Sequence, residues 1–144
     1  MRKLLIIILI VCGQFAGAQE ADVRKAVEDF FTAFHAQDTT KLRLAVAKEM
    51  VLHSVTETPS GNRFSEEDAN DFIKSIASIP KPMKFEERLM SFEIKIDGPM
   101  AHAWTPYEFY VNGKLSHKGV NSFQLFKDGL QWKVVYIIDT RRKG

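Results

Sequence analysis

From Lys84 onward the chain is almost entirely alternation cut by turn signals, and this restricts its fold more than any other feature. In Lys84–Ile96 the residues Met90, Phe92, Ile94 and Ile96 alternate with Ser91, Glu93 and Lys95, the two-residue period of a strand with one buried face. "DGP" then turns the chain into Met100–Val111, "NG" at Asn112-Gly113 into Lys114–Phe126, and "DG" at Asp128-Gly129 into Leu130–Asp139. Asn-Gly and Asp-Gly between alternating runs are strong hairpin signals, because tight turns that match strand twist need positive φ. The spacing predicts an antiparallel meander.

The first half has a different period. Between Glu20 and Gln37 the apolar residues Val23, Ala26, Val27, Phe30, Phe31 and Phe34 recur at steps of three and four, a wide helical stripe rich in phenylalanine. A short second helix follows, with Asp38 or Thr39 as its N-cap and Leu42, Ala45 and Val46 on its buried side. "MVLHSVTET", residues 50–58, is β-rich and ends at the turn signal "PSGN". Ser65 is the expected cap of a third helix, with Glu66, Glu67 and Asp68 in its first turn and Ala69, Phe72, Ile73 and Ile76 as its stripe. "PKP" at 80–82 stops it, since proline cannot donate and disfavours helix in the residue before it. Helices followed by a meander define an α+β fold.

The chain opens "MRKLLIIILIVCGQFAGAQ": two basic residues, an apolar run from Leu4 to Val11, and the small-residue site Ala16-Gly17-Ala18. That order is a secretory signal peptide, residues 1–18, cleaved near Ala18, which leaves a single domain over 19–144 in a secreted or periplasmic location. The alternative is a lipoprotein signal with Cys12 as the lipidated residue, against which stands Val11 where a small residue is usual. The apolar run is shorter than the roughly 20 residues a stable span needs, so no stable membrane span is expected. Taking Arg2 and Lys3 from the 20 basic residues leaves as many as the 18 acidic ones. A neutral mature chain lacks the basic footprint of nucleic-acid binding, and the terminal "RRK" reads as a solvated end. Cys12 is the only cysteine, so the mature chain has no thiol chemistry. No histidine pair has metal-ligand spacing, and neither a phosphate-cradling glycine loop nor a nucleophile elbow is present. Neither a metal nor a cofactor is expected.

Hairpin arithmetic ranks the polar residues. A two-residue Asp128-Gly129 turn pairs Lys127 with Leu130, Leu125 with Trp132, Phe123 with Val134, and Asn121 with Tyr136. The apolar set Phe123, Leu125, Trp132 and Val134 then faces inward, and strand parity carries Asn121, Gly119 and His117 to the same side. The Asn112-Gly113 hairpin leaves two registers open for His117. A two-residue turn pairs Val111 with Lys114 and sets His117 opposite Glu108, and a three-residue turn with a bulge shifts this by one and sets it opposite Phe109. The bulged register is preferred deep in the sheet, with Pro106 close to Gly119 in either case and a bend expected there.

The segment "FYVNGKLSHKGVNSFQLFKDGLQWKVVYIIDTRRK", together with two N-terminal helices, a first strand and a third helix, resembles the nuclear-transport-factor-2-like (NTF2-like) superfamily. It is similar to secreted bacterial members provisionally labelled lumazine-binding or of unknown function. The resemblance implies a strongly curved sheet wrapped around the first helix, a pocket between them, and frequent dimers through the sheet's outer face. It carries no single activity, because this superfold hosts many. Relevant precedents for catalysis are scytalone dehydratase, with a histidine, tyrosines and an aspartate, and ketosteroid isomerase, with an aspartate and a tyrosine-containing oxyanion hole.

On that basis the expected ligand pocket comprises Phe34, His53, Trp104, Tyr107, Phe109, His117 and Asn121. His53 and His117 are the candidate catalytic residues, and His53, His117, Tyr107 and Asp139 could form a scytalone-dehydratase-like set. Asp139 has a parity opposite to Trp132, and a salt bridge to Arg141 or Arg142 is the simpler role for it. His35 and His102 read as structural. Three functions follow: a secreted binder of a small apolar or aromatic molecule, a cofactor-free isomerase, dehydratase or cyclase using pocket histidines, and a protein-interaction module acting through the outer sheet face. The second requires His53 and His117 to converge on one ligand position.

Overall fold

The structure is a computed structural model that describes the backbone of residues 2–144 and the side chains of residues 17–144. The expected signal run and Cys12 lie outside the described side chains. Among the described residues no helix is long and apolar enough to cross a membrane.

Three helices, α1 (Arg2–His35), α2 (Thr39–Ala45) and α3 (Ala69–Ala77), pack on seven strands: β1 (Val46–Thr58), β2 (Gly61–Asp68), β3 (Phe85–Leu89), β4 (Glu93–Asp97), β5 (Met100–Val111), β6 (Lys114–Asp128) and β7 (Gln131–Lys143). The sheet order is β2-β1-β7-β6-β5-β3, and β4 also pairs with β5. Every pairing is antiparallel except β1 with β7, which joins an early strand to the last one. This is the expected α+β class.

The phenylalanine stripe of α1 faces the sheet as its spacing predicts. Phe30 packs on Phe72 of α3 (5.9 Å between rings) and edge-on to Phe123 of β6 (5.7 Å), while Phe31 meets the same Phe123 at 5.8 Å. Each such aromatic pair adds roughly 0.5–1.5 kcal/mol beyond the area it buries. Gln37, with φ of 53°, ends the first helical segment, and its Nε2 donates to the carbonyls of Ile76 and Ile79, which ties α1 to the end of α3. Asp38 caps α2 by accepting from the Lys41 N–H.

Three expectations need correction. Ser65 does not cap a helix: residues 65–68 continue β2, pairing Ser65 with Ser54 and Glu66 with His53. The open edge of β1 offers ladder hydrogen bonds as far as Val51, and the cap falls instead to Asp68, which accepts from the N–H groups of Asn70 and Asp71. Lys84–Ile96 is not one strand. It breaks at Met90–Phe92, opposite Pro106 of β5, where the ladder loses a donor and the register slips by one residue. Inward residues are therefore odd-numbered in β3 and even-numbered in β4.

The last hairpin also shifts. Its turn is Gly129-Leu130, Lys127 pairs with Trp132, and Leu125 pairs with Val134. A bulge at Val135 then sets Phe123 opposite Ile137 and Asn121 opposite Asp139. The apolar set Phe123, Leu125, Trp132 and Val134 is nonetheless buried together, as expected. At the other hairpin Asn112 and Gly113 both have positive φ, and Val111 pairs with Lys114 before a one-residue shift puts Phe109 opposite His117. The turn is therefore the two-residue one, not the three-residue one, and the bulge falls at Ser116, which gives the preferred Phe109–His117 register. The bulge or sharp bend expected at Gly119 does not appear as a register shift there; what marks the position is a close backbone approach, since a Cβ would lie 1.7 Å from the Thr140 carbonyl oxygen.

Candidate functional site

Along the inward face of each strand the alternation is apolar until one position. Ala101 and Ala103 lead to Thr105 in β5, Leu125 and Phe123 to Asn121 in β6, Ile137 to Asp139 in β7, and Leu52 to Ser54 in β1. The register aligns these four. Thr105 pairs with Asn121, Asn121 with Asp139, and Asp139 with Ser54, so they form one polar row across four strands. They are also the buried polar side chains among the described residues. A polar row inside an apolar face costs stability unless its groups are paired, and this one is paired only in part. Thr105 Oγ1 and Asp139 Oδ1 have no hydrogen-bond partner among the described residues.

Glu87 of β3 joins the row from the side. Its backbone N–H donates to His35 Nε2 of α1 at 2.8 Å, and its carboxylate Oε1 accepts from Asn121 Nδ2 at 2.7 Å. Asp139 Oδ2 accepts from Arg141 Nε at 2.9 Å. The residue Glu87 keeps some exposure as a whole, but its carboxylate end is enclosed, and the enclosed end decides its chemistry. Burial, reinforced by the Asp139 charge and opposed by the Asn121 hydrogen bond, pushes the Glu87 carboxyl up from 4.5 to about 7. Burial and the Arg141 charge hold the His117 imidazole below its ordinary value, and burial first of all raises the Tyr107 phenol. Near neutral pH, His117 is uncharged and Glu87 is divided between its two forms.

Glu87, His117, Asn121, Asp139 and Arg141 line a cavity of about 320 Å³ together with Phe30, Phe31, Phe34, Phe72 and Phe123, and Glu67 of β2 belongs to the same lining. Of the residues expected there, Phe34, Phe109, His117 and Asn121 do line it, with His117 stacked on Phe109 at 4.8 Å. Tyr107 lies behind the wall, edge-on to His117 at 5.8 Å and donating from its hydroxyl to the Thr140 carbonyl at 2.8 Å. Trp104 is on the outer face beside His102. His53 is there too, because Leu52 and Ser54 take the inward positions of β1. Its Nε2 lies 2.7 Å from Glu66 Oε2, its Nδ1 lies 2.9 Å from the Tyr136 hydroxyl, and its ring packs on Phe64. His53 and His117 thus sit on opposite faces of the sheet and do not share a site. The set His53, His117, Tyr107 and Asp139 is not assembled. Glu108, the other register's partner for His117, pairs with Lys118 and accepts from the Tyr110 hydroxyl.

The sequence reading did not find Glu87 or the inward placement of Asp139 and Arg141. The salt bridge between the last two forms as expected, but in the cavity wall rather than at a free strand end.

A curled sheet holding a helix against its concave side, with a cavity between them, is the NTF2-like fold. No family model matches the chain, and no curated protein matches it. Among solved structures, an NTF2-like protein from Cytophaga hutchinsonii superposes with a TM-score of 0.71 at 14% identity, covering 86% of this chain and 98% of that one. A candidate dehydratase of the NTF2-like family from Streptomyces avermitilis gives 0.68 at 15% identity, covering 90% and 99%. A candidate scytalone dehydratase from Novosphingobium aromaticivorans gives 0.69 at 8% identity, covering 90% and 88%.

Proposed function

We propose that this protein is exported and binds a small, planar, largely apolar molecule in the cone. The ring system of the ligand lies among the phenylalanines and its polar edge meets the row formed by Glu87, Asn121 and Asp139. One observation carries the reading: one cavity of small-molecule size is lined both by phenylalanine rings and by the polar groups Glu87, Asn121 and Asp139. Export rests on the order of basic, apolar and small residues at the N-terminus. A homodimer through the outer sheet face belongs to the same reading, supported by the exposed Met100, Trp104 and Phe126 on that face.

A second reading, general acid-base catalysis on the bound molecule, is favoured by Glu87. A carboxyl group that exchanges its proton near neutrality is matched to that work, and Glu87 rather than a histidine pair would do it.

Native mass spectrometry of the protein purified from its own host tests binding and subunit count together. The expected result is a dimer carrying a small molecule that is released on denaturation. The bound mass should be absent from the Ser75→Trp variant, which fills the cavity from the α3 side. A bound mass that persists in this variant would place the ligand elsewhere and end the cavity reading.

A further inference from the structure

Arg141 in the wall of a cavity invites the assumption that the site receives an anion, and the geometry argues against it. The Arg141 Nε–H already donates to Asp139 Oδ2 at 2.9 Å, so the pair is compensated in charge even though the terminal guanidinium N–H groups are not taken by Asp139. At Glu87 the balance is worse for an anion, because the Asp139 charge acts there more strongly than Arg141 does. Among the described residues Glu87 has no salt-bridge partner, and Asn121 occupies its Oε1, which leaves Oε2 for a bound molecule. Asp139 adds a second, unpartnered acceptor oxygen to the same lining in a side chain that is nine-tenths buried. The polar edge of the cavity is thus rich in acceptors and carries a net negative field. The rest of the lining is mainly phenylalanine and aliphatic, and the charged side chain it adds is another carboxylate, Glu67.

Resting on the cavity reading above, we infer that the ligand is a non-anionic planar compound bearing a hydroxyl donor, of phenol or enol type, whose O–H is directed at Glu87 Oε2, and that anionic aromatic compounds are excluded. The donor satisfies an acceptor that would otherwise stay desolvated, whereas a carboxylate placed there adds a second unpaired negative charge. A site built to accept from a hydroxyl also rejects the analogue that lacks it, because its own acceptor is then left without a partner.

Three two-ring probes of similar shape decide the matter: 2-naphthol, its methyl ether and 2-naphthoate, titrated at pH 8 against the full mature chain with fluorescence detection. The expected order is 2-naphthol first, the ether weaker by roughly tenfold, and the naphthoate weakest. Glu87→Gln presents an amide in the same space and keeps an oxygen for Asn121, so it should weaken 2-naphthol by roughly tenfold and strengthen naphthoate. Asp139→Asn releases Arg141 and should also strengthen naphthoate. If the ether or the naphthoate binds the wild-type protein as tightly as 2-naphthol, the inference is overturned while the cavity reading stands. If no probe binds, or if all three bind Ser75→Trp as they bind the wild type, the cavity reading falls and takes the inference with it. Should either carboxylate variant fail to fold, the wild-type order of the three probes still decides.

Discussion

Asn121 donates to Glu87 across an intervening strand: Asn121 is on β6, Glu87 is on β3, and β5 lies between them in the sheet. Asn121 pairs with Thr105 of β5 but Glu87 pairs with Phe109, four residues further along, so in a flat sheet they would lie roughly 9–10 Å apart across the strands and about 13 Å apart along them, beyond the reach of the two side chains. The 2.7 Å contact therefore measures the curl of the sheet, which brings the inward faces of non-neighbouring strands together.

Asn121→Ala removes that donor and leaves a buried carboxylate without it. We expect a loss of about 1–3 kcal/mol at pH 8 and a smaller loss at pH 5, where Glu87 is protonated. Urea denaturation at the two pH values measures both.

Glu87 itself makes stability depend on pH with a definite sign. Its folded-state pKa is raised from 4.5 to about 7, so the folded chain holds a proton that the unfolded chain releases. The corresponding stability is fully present below 4.5 and is lost as pH rises through 7. Glu87→Gln does not titrate and should be more stable than wild type at pH 8 by about 3 kcal/mol at most, the advantage shrinking towards zero below pH 5. Equal stability differences at both pH values would show that Glu87 is not desolvated in the folded protein.

How legible these carboxylates were in the sequence is now clear in physical terms. The meander, the α1 stripe and the inward face of Phe123, Leu125, Trp132 and Val134 follow directly from periodicity, because burial enforces the pattern over many residues. Parity, however, is a count, and one extra residue inverts everything beyond it. The break opposite Pro106 turns Glu87 inward, although simple alternation from Phe92 and Ile94 assigns it to solvent. The bulge at Val135 does the same for Asp139. Pro106 was visible in the sequence as a ladder breaker next to this segment. Val135 offers no such mark: it is an ordinary strand residue, and only its pairing shows that it bulges. His53 fails for a different reason. Its parity with Val51 and Val55 was right, but the sequence does not say which face of β1 is the inner one.

Gly119→Ala should be severely destabilising, by roughly 3 kcal/mol or more, because its Cβ would meet backbone rather than a movable side chain. The damage falls on the β6–β7 pairing beside the cavity. Thermal unfolding reads the loss, and an unchanged midpoint would mean that β7 can withdraw from β6 at no cost.

Trp104→Lys and His53→Ala act on the outer face and should leave 2-naphthol binding unchanged, whereas His117→Ala, which removes the ring stacked on Phe109, should alter it. If the outer face is the dimer interface, Trp104→Lys should also shift the sedimentation coefficient to that of a monomer.

The parallel pairing of β1 with β7 has a consequence for the order in which this molecule can come together. Asp139 and Arg141 ride on the final strand, and that strand is inserted between β1 and β6 instead of being added at an edge. Without β7 the sheet order leaves two separate pieces, the β1–β2 hairpin and the β3–β6 sheet. Of the seven strands, the one synthesised last is therefore the keystone of the sheet and the carrier of the Asp139–Arg141 pair. A nascent or truncated chain that ends before β7 has the aromatic lining but neither the enclosure nor the compensated pair that gives the site its chemistry.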